Sequence, residues 1–220
     1  MQSRWRMRKP ILNKFILLLC FILVLGSCSE SAPKISQTFW QINLMHDQKT
    51  GKNSQALTIF VMASDDDGVD DMEKMYVIND EYQLYWEISG KDLRIEKYGE
   101  NEVWMGSNFI TMPAPEDKIP SGTYRIMLLD SSGERAKTSI VISNNIKGAP
   151  DKWPSLAKVG GGVKVDGKAD YVWGIQADGT FGGEFQVKPG IVSTGGKLFS
   201  WYYLYSFLPD QGYGLINGPF

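Results

Sequence analysis

Short runs of β-branched and aromatic residues dominate this chain, and turn residues separate them at intervals of about 8–12 residues. Residues 57–63, Leu-Thr-Ile-Phe-Val-Met-Ala, are one such run, and residues 39–44 alternate apolar with polar side chains as a half-buried strand does. Scarcely any segment has the 3.6-residue period of an amphipathic helix. The pattern predicts an all-β fold built on an antiparallel β-sandwich.

The clearest hairpin covers residues 123–142. Two β-rich runs, residues 123–129 and 136–142, flank the turn sequence Asp130-Ser131-Ser132-Gly133. An Asp that opens such a turn accepts hydrogen bonds from the backbone N–H groups that follow, and Gly takes the left-handed position at no steric cost. We therefore expect a tight connection between two antiparallel strands here.

Residues 122–126, Gly-Thr-Tyr-Arg-Ile, resemble the penultimate strand of immunoglobulin-like and fibronectin type III domains. In those domains a Tyr near the strand start, here Tyr124, donates its hydroxyl to the backbone. The Asp-x-Asp-Gly loop at residues 65–68, before a Tyr-Val strand, is similar to loops in bacterial members of this group. The antibody-type cysteine pair is absent, because Ile126 occupies the position of the second cysteine. The resemblance implies an immunoglobulin-like β-sandwich over residues 35–144.

Residues 150–220 are rich in Gly and aromatic residues and predict a smaller β unit. Residues 171–175 and 185–187 are expected to form a hairpin, and residues 198–208, apolar on both faces, a buried strand. About 70 residues without a disulfide make a marginal core. This unit is therefore expected either to stand alone or to pack on the first and complete it.

The first 27 residues have the form of a secretory leader. Five basic residues precede an apolar run at residues 15–25, which is shorter than the roughly 20 residues of a spanning helix. The run ends in Leu-Gly-Ser-Cys, which resembles the lipobox of bacterial lipoproteins. That resemblance implies that residues 1–27 are a signal peptide and that Cys28 carries a diacylglyceryl group and an N-linked acyl chain such as palmitate. Residues 28–34 are then the lipidated Cys and its tether, and Ser29 favours the outer over the inner membrane of the cell envelope.

Charge and cysteine content exclude several classes of site. The leader carries five of the 23 basic residues and none of the 25 acidic ones, so the remaining 193 residues have a formal net charge of −7 and no basic patch for nucleic acid. Of the two cysteines, Cys20 leaves with the leader and Cys28 is used by the lipid, which excludes a disulfide and a thiolate metal site. His46 is the only histidine, so a Ser–His–Asp triad would have to use it.

The acidic loop is a candidate metal site. Its carboxylates could supply the hard oxygen ligands that Ca²⁺ prefers. The interpretation that we favour is a solvated turn in which Asp side chains accept hydrogen bonds from local backbone N–H groups. The EF-hand pattern fails, because with Gly68 at the sixth position Ala63 and Lys74 occupy the first and twelfth. The candidate calcium ligands are Asp65, Asp67, Asp70 and Asp71.

Aromatic side chains form the second candidate site, a stacking surface for sugars. The candidates are Trp173, Trp201 and Tyr203. The interpretation that we favour is that they belong to the core with one or two ring edges exposed. Trp201 and Tyr203 share one face of a strand with Phe199, Tyr205 and Phe207, and a sandwich without disulfides needs large side chains inside.

These features predict a non-enzymatic protein held at the membrane by its N-terminal lipid. Its role is expected to be binding or structural, with an unidentified protein or glycan as the partner and no nucleic acid or cofactor. One alternative is a carbohydrate-binding accessory module. Another is an envelope hydrolase, although no motif selects a catalytic pair among the 25 acidic residues.

Overall fold

The computed structural model describes residues 31–66, 68–99 and 101–220, and almost all of its regular structure is β-strand, which confirms the all-β fold class. A single turn of 3-10 helix, Gly90–Asp92, connects two of the strands. The strands are β1 (Lys34–Asp47), β2 (Asn53–Ser64), β3 (Met72–Asn79), β4 (Leu84–Ser89), β5 (Arg94–Lys97), β6 (Glu102–Thr111), β7 (Gly122–Asp130), β8 (Arg135–Ile142), β9 (Ser155–Val159), β10 (Gly162–Asp166), β11 (Tyr171–Ile175), β12 (Phe181–Gln186), β13 (Ile191–Ser193), β14 (Trp201–Leu208) and β15 (Tyr213–Gly218).

The first eight strands form two facing layers. Strands β1, β2, β6 and β5 pair in the order β1-β2-β6-β5, and the four-stranded sheet β4-β3-β7-β8 lies against them. Alternate side chains of both layers are buried between them, including Leu57 and Val61 of β2, Met105 of β6, and Val77 and Ile126 of the facing sheet. The period of two in the sequence therefore places one apolar row of each strand in a common core.

Both local signals at strand β7 are confirmed. Tyr124 is buried and its hydroxyl donates to the carbonyl of Pro120 over 2.9 Å, as expected for a tyrosine that fixes a corner of a sandwich. At the other end, Asp130 Oδ1 accepts the backbone N–H groups of Ser132, Gly133 and Glu134 at 2.8–2.9 Å. Gly133 has φ = 95°, the left-handed conformation predicted for it.

Four of the remaining strands, β11, β12, β14 and β15, extend the first layer. Strand β15 pairs in parallel with β1, from Asn43 with Gly214 to Asp47 with Gly218. Strands β14, β11 and β12 continue beyond β15, giving the order β12-β11-β14-β15-β1-β2-β6-β5. One eight-stranded sheet therefore includes strands from both of the predicted units, residues 35–144 and 150–220.

A second core lies under the three-stranded sheet β13-β10-β9. It contains Val163 and Val192 of that sheet with Val172, Tyr202 and Leu204 of the large one. Leu204 points to the same side of the sheet as Leu215 and Leu44, which line the first core, because the strand registers keep these residues in phase. Both small sheets thus cover one face of the eight-stranded sheet.

Strand β14 corrects one prediction from the sequence. The row containing Trp201, Tyr203, Tyr205 and Phe207 was the expected core face, but Trp201 and Phe207 are each 39% exposed. Tyr202, Leu204 and Ser206 point into the protein instead, while Phe199 is buried just before the strand. Since β14 is apolar on both sides, alternation alone did not determine which side faces inward.

No helix among residues 31–66, 68–99 and 101–220 is long and apolar enough to span a membrane.

Candidate functional site

The second face of the eight-stranded sheet carries the most distinctive side chains of the structure. In each strand every second side chain points to this face, as the strand registers show. No other sheet of the described residues packs over this face. Its side chains combine aromatic rings, amides and a few charges. They include Glu184 and Gln186 of β12, Tyr171 and Trp173 of β11, Tyr203 and Tyr205 of β14, Phe39, Gln41 and Asn43 of β1, Thr58 and Phe60 of β2, Trp104 of β6, and Arg94 and Glu96 of β5.

This face is concave. Strands β5 and β12 are the two edges of the sheet, yet Arg94 Cζ on β5 lies 5.8 Å from the ring centroid of Phe181 on β12. The sheet therefore curls until its edges approach at that point, as twisted sheets do when they approach closure. The curl explains why Asn43, Met62 and Ile216 on this face are only 3–5% exposed. We call it the concave face.

A chain of hydrogen bonds crosses the middle of the concave face. Gln41 Nε2 donates to Asn43 Oδ1 over 2.6 Å and to the Tyr205 hydroxyl oxygen over 2.8 Å. Asn43 Nδ2 donates to Thr58 Oγ1 over 3.1 Å, which links strands β14, β1 and β2. We call Gln41, Asn43, Thr58 and Tyr205 the polar bridge. Buried amides that already satisfy one another are held in fixed positions, which is how a binding surface presents polar groups with little loss of entropy.

Strand β15 passes beneath the polar bridge, and the absence of a side chain at Gly214 leaves room for it. A Cβ atom at Gly214 would lie 2.6 Å from Gln41 Nε2 and 2.8 Å from Tyr205 Cε2, which is closer than real Cβ atoms approach other atoms. Glycine at this position therefore lets Gln41 and Tyr205 meet across an intervening strand.

Tyr203 and Tyr205 on this face have a raised pKa and keep their protons at neutral pH. Burial raises the pKa of Tyr205, and the carboxylates of Asp170 and Glu184 raise it further, while the bond from Gln41 acts in the opposite direction. Burial also raises the pKa of Tyr203, with a smaller contribution from the charge of Asp47. Because Tyr205 accepts a hydrogen bond from Gln41, its own O–H proton can be donated to a ligand.

Stacked aromatic rings lie on one side of the polar bridge. The rings of Trp173 and Tyr205 are 4.9 Å apart between centroids and inclined by 14°, and Tyr171 lies 6.4 Å from Tyr205. The indole Nε1 of Trp173 donates to Glu184 Oε2 over 2.8 Å, which fixes the ring on its strand. We call Tyr171, Trp173 and Tyr205 the aromatic platform.

A cavity of about 340 Å³ lies on the other side of the polar bridge. It combines the aromatic rings of β1, β2 and β6 with charges of β5, a mixture typical of small-molecule sites. Its lining residues are Phe39, Phe60, Arg94, Glu96, Trp104 and Asn108. The backbone carbonyl of Asn108 accepts a hydrogen bond from Thr58 over 3.4 Å, so the polar bridge reaches the strand that lines the cavity.

The three aromatic residues selected from the sequence all lie on this face. Trp173 belongs to the aromatic platform and Tyr203 lies beside it on β14. Trp201 is at the end of the same row, where Lys49 Nζ sits 4.1 Å above its ring. Neither the polar bridge nor the cavity was predicted from the sequence. The available signal was the placement of Phe39, Gln41 and Asn43 at alternate positions of β1.

The acidic loop has a different organisation. Asp65 is 2% exposed and accepts the hydroxyl of Ser31 over 2.6 Å. Asp66 and Asp70 form exposed ion pairs at 2.8 Å with Lys34 and Lys97. Within the part of the chain that the structure describes, no three His, Cys, Asp or Glu residues are placed to hold a metal. Asp67 lies outside the described residues, so calcium binding by Asp65, Asp67, Asp70 and Asp71 stays a prediction.

His46 and Cys28 are the two remaining residues that were singled out from the sequence. His46 stacks on Trp153 with 5.0 Å between ring centroids, and its Nδ1 lies 2.8 Å from Asn53 Oδ1, which is a packing role. Cys28 and the leader, residues 1–27, lie outside the described residues.

A comparison with protein-family models found none that matches the chain, and a search of curated proteins found no similar sequence.

Proposed function

We propose that this protein is a lipid-anchored component of a bacterial cell envelope that binds carbohydrate on its concave face and has no catalytic role. The observation that carries the proposal is the polar bridge, a partly buried and internally bonded row of amides and hydroxyls with aromatic rings on both sides. The proposal takes up the carbohydrate-binding alternative predicted from the sequence and places the site on a sheet face.

The chemistry of the concave face matches that of a sugar. A pyranose ring has apolar C–H faces that pack on aromatic rings and a rim of hydroxyls that both donate and accept hydrogen bonds. Trp173 and Trp104 supply rings on opposite sides of the polar bridge, which supplies the amide and hydroxyl partners. Bonds within the bridge keep these groups satisfied when no ligand is bound, so their burial carries no large penalty.

A binding role is favoured over hydrolysis. A glycosidase needs two carboxyl groups on either side of the scissile bond. Of the residues that line the cavity only Glu96 is a carboxylic acid, and Glu184 at the aromatic platform is bonded to Trp173.

We infer further that residues 35–144 form an immunoglobulin-like sandwich. The layer order β1-β2-β6-β5 against β4-β3-β7-β8 supports this, because it corresponds to strands A-B-E-D and C′-C-F-G of such domains. The bond from Tyr124 to Pro120 gives additional support.

The location at the envelope follows from the lipobox resemblance at Cys28. Cys28 lies six positions before Lys34, where β1 begins, and an extended chain spans at most about 3.3–3.6 Å per residue. The sandwich would then lie within roughly 20 Å of the lipid surface. Glycans of the envelope, or glycans brought to it, are the ligands within reach.

A binding test follows directly. The full-length protein, purified in detergent, is applied to a panel of immobilised plant, fungal and bacterial polysaccharides. We expect retention on at least one polymer, and a loss of about tenfold in affinity for Trp104→Ala and for Trp173→Ala, which corresponds to about 1.4 kcal/mol. Trp173→Phe should retain most of the affinity because it keeps a stacking ring.

Tyr82→Ala is the matched control, since Tyr82 is 52% exposed in the turn between β3 and β4 and belongs to the other sheet. Absence of retention on every polymer, or equal losses for the control and the two Trp variants, would contradict carbohydrate binding on the concave face.

A further inference from the structure

We propose that the ligand of the concave face is an uncharged, extended glycan chain that crosses the strands from the cavity to the aromatic platform, so that the protein recognises internal segments of a polysaccharide and not single terminal sugars. This inference depends on the proposed function and names its substrate class.

The distance between the two aromatic groups is the first support. Trp104 is on β6 and Tyr205 on β14, and strands β2, β1 and β15 lie between them. Neighbouring strands are about 4.8 Å apart, so four spacings give roughly 19 Å along the surface. A ligand that follows the sheet surface over this length is a short chain and not one sugar.

The surface between the two groups is the second support, because side chains that are hydrogen-bonded to one another line it, among them Gln41, Asn43 and Thr58. Gly214 and Gly218 of β15 have no side chains there. Asn43 and Thr58 are buried there, and Gln41 and Tyr205 beside them are partly exposed. The polar bridge therefore lies between the aromatic rings of the cavity and those of the aromatic platform. A glycan chain that crosses the strands would contact all three.

The balance of charge is the third support. The cationic groups on or beside the concave face are Arg94 and Lys49, and the anionic ones are Glu96, Asp47 and Glu184. Lys49 is engaged over the Trp201 ring and Arg94 lies near Phe181, while Asp47 accepts the N–H groups of its own turn. An acidic polysaccharide would meet more carboxylates than cations, which favours a neutral chain.

The test is calorimetric titration of the full-length protein with neutral oligosaccharides of increasing length. The series are cello-, xylo-, manno- and malto-oligosaccharides from disaccharide to octasaccharide, with polygalacturonate as the anionic comparison. For the series that binds, we expect affinity to rise at least tenfold between disaccharide and octasaccharide and then to level off, because the second contact becomes intramolecular. Polygalacturonate should bind more weakly than the neutral octasaccharide.

Single substitutions test the two ends of the proposed glycan path, the cavity and the aromatic platform, separately. Trp104→Ala and Trp173→Ala should each remove the gain with length, leaving the octasaccharide with an affinity near that of the disaccharide. Gln41→Ala should reduce the same gain without inserting any atom into the sheet, so it tests the path even if larger substitutions there fail to fold.

Equal affinity for disaccharide and octasaccharide, or tighter binding of polygalacturonate, would overturn this inference while leaving carbohydrate binding intact. A failure of every saccharide to bind would instead overturn the proposed function itself.

Discussion

At the scale of single residues, Gly214 is the position on which the polar bridge depends most directly. It lies on β15 beneath the bond between Gln41 and Tyr205, where a Cβ atom would contact both of them. Its φ is not positive, so alanine is compatible with the backbone and only the space is lacking. Substitution at this position therefore measures packing and the polar bridge without backbone strain.

We expect Gly214→Ala to destabilise the protein by about 1–3 kcal/mol, the range found when an extra carbon is forced into a packed site. Urea unfolding followed by tryptophan fluorescence measures this as a lower midpoint. Gly148→Ala is the control, because Gly148 has no atom within 4 Å of its added Cβ and no positive φ. Identical midpoints for the two variants would show that Gln41 and Tyr205 do not meet over β15.

The aromatic part of the site was accessible from the sequence, whereas the polar part was not. Trp173, Trp201 and Tyr203 were selected because large rings are few and chemically distinctive. Gln41 and Asn43 occupy alternate positions of β1, a pattern that equally describes a solvated strand face. Their partner Tyr205 is 164 residues from Gln41, and only the parallel pairing of β15 with β1 brings them together.

At the scale of elements, strand β7 shows local chemistry fixing both ends of a strand. Tyr124 anchors its start through Pro120, and Asp130 organises the turn at its end. These bonds connect residues within four positions of each other, so a local motif was sufficient to predict them. The same is true of the β7–β8 hairpin as a whole.

The hydroxyl of Tyr124 offers a test of this corner. Tyr124→Phe keeps the buried ring and removes only the bond to the Pro120 carbonyl, so we expect a loss of about 0.5–1.5 kcal/mol in the free energy of unfolding. Tyr82→Phe is the comparison, since that side chain is exposed and its loss of a hydroxyl should change stability little. The two proteins are compared by guanidinium denaturation. A Tyr124→Phe protein as stable as the parent would show that the bond from Tyr124 to the Pro120 carbonyl does not stabilise the fold.

Strands of the C-terminal half were harder to predict. Strands β9, β10, β13 and β15 have three to six residues each, and β15 contains glycine at two positions, the two ends of its contact with β1. Glycine is depleted in strands, so the sequence Tyr-Gly-Leu-Ile-Asn-Gly gives no strand signal by propensity. Its pairing is decided by long-range packing, because Leu215 completes the first core from the far end of the chain.

At the scale of the whole molecule, the continuity of one sheet determines where a ligand can bind. The sequence suggested a sandwich over residues 35–144 followed by a small unit over 150–220, and it could not show that β15 would be inserted between β1 and β14. That insertion doubles the width of one layer from four strands to eight. The small sheets then cover one side, and the other side curls into the concave face. The candidate site is thus a consequence of joining the two units and belongs to neither alone.

The proposed lipid anchor fixes the position of this face relative to a membrane and can be tested independently of any ligand. We expect Cys28→Ser to abolish metabolic labelling with palmitate and to shift the protein from the membrane fraction to the soluble fraction, because several acyl chains are needed for stable anchoring. Cys20→Ser is the matched control, since that cysteine would leave with the leader, and it should retain both labelling and membrane association. A Cys28→Ser protein that stays in the membrane fraction without label would mean that another part of the chain holds it there. The concave face would then have to be placed relative to that surface and not to the short tether before β1.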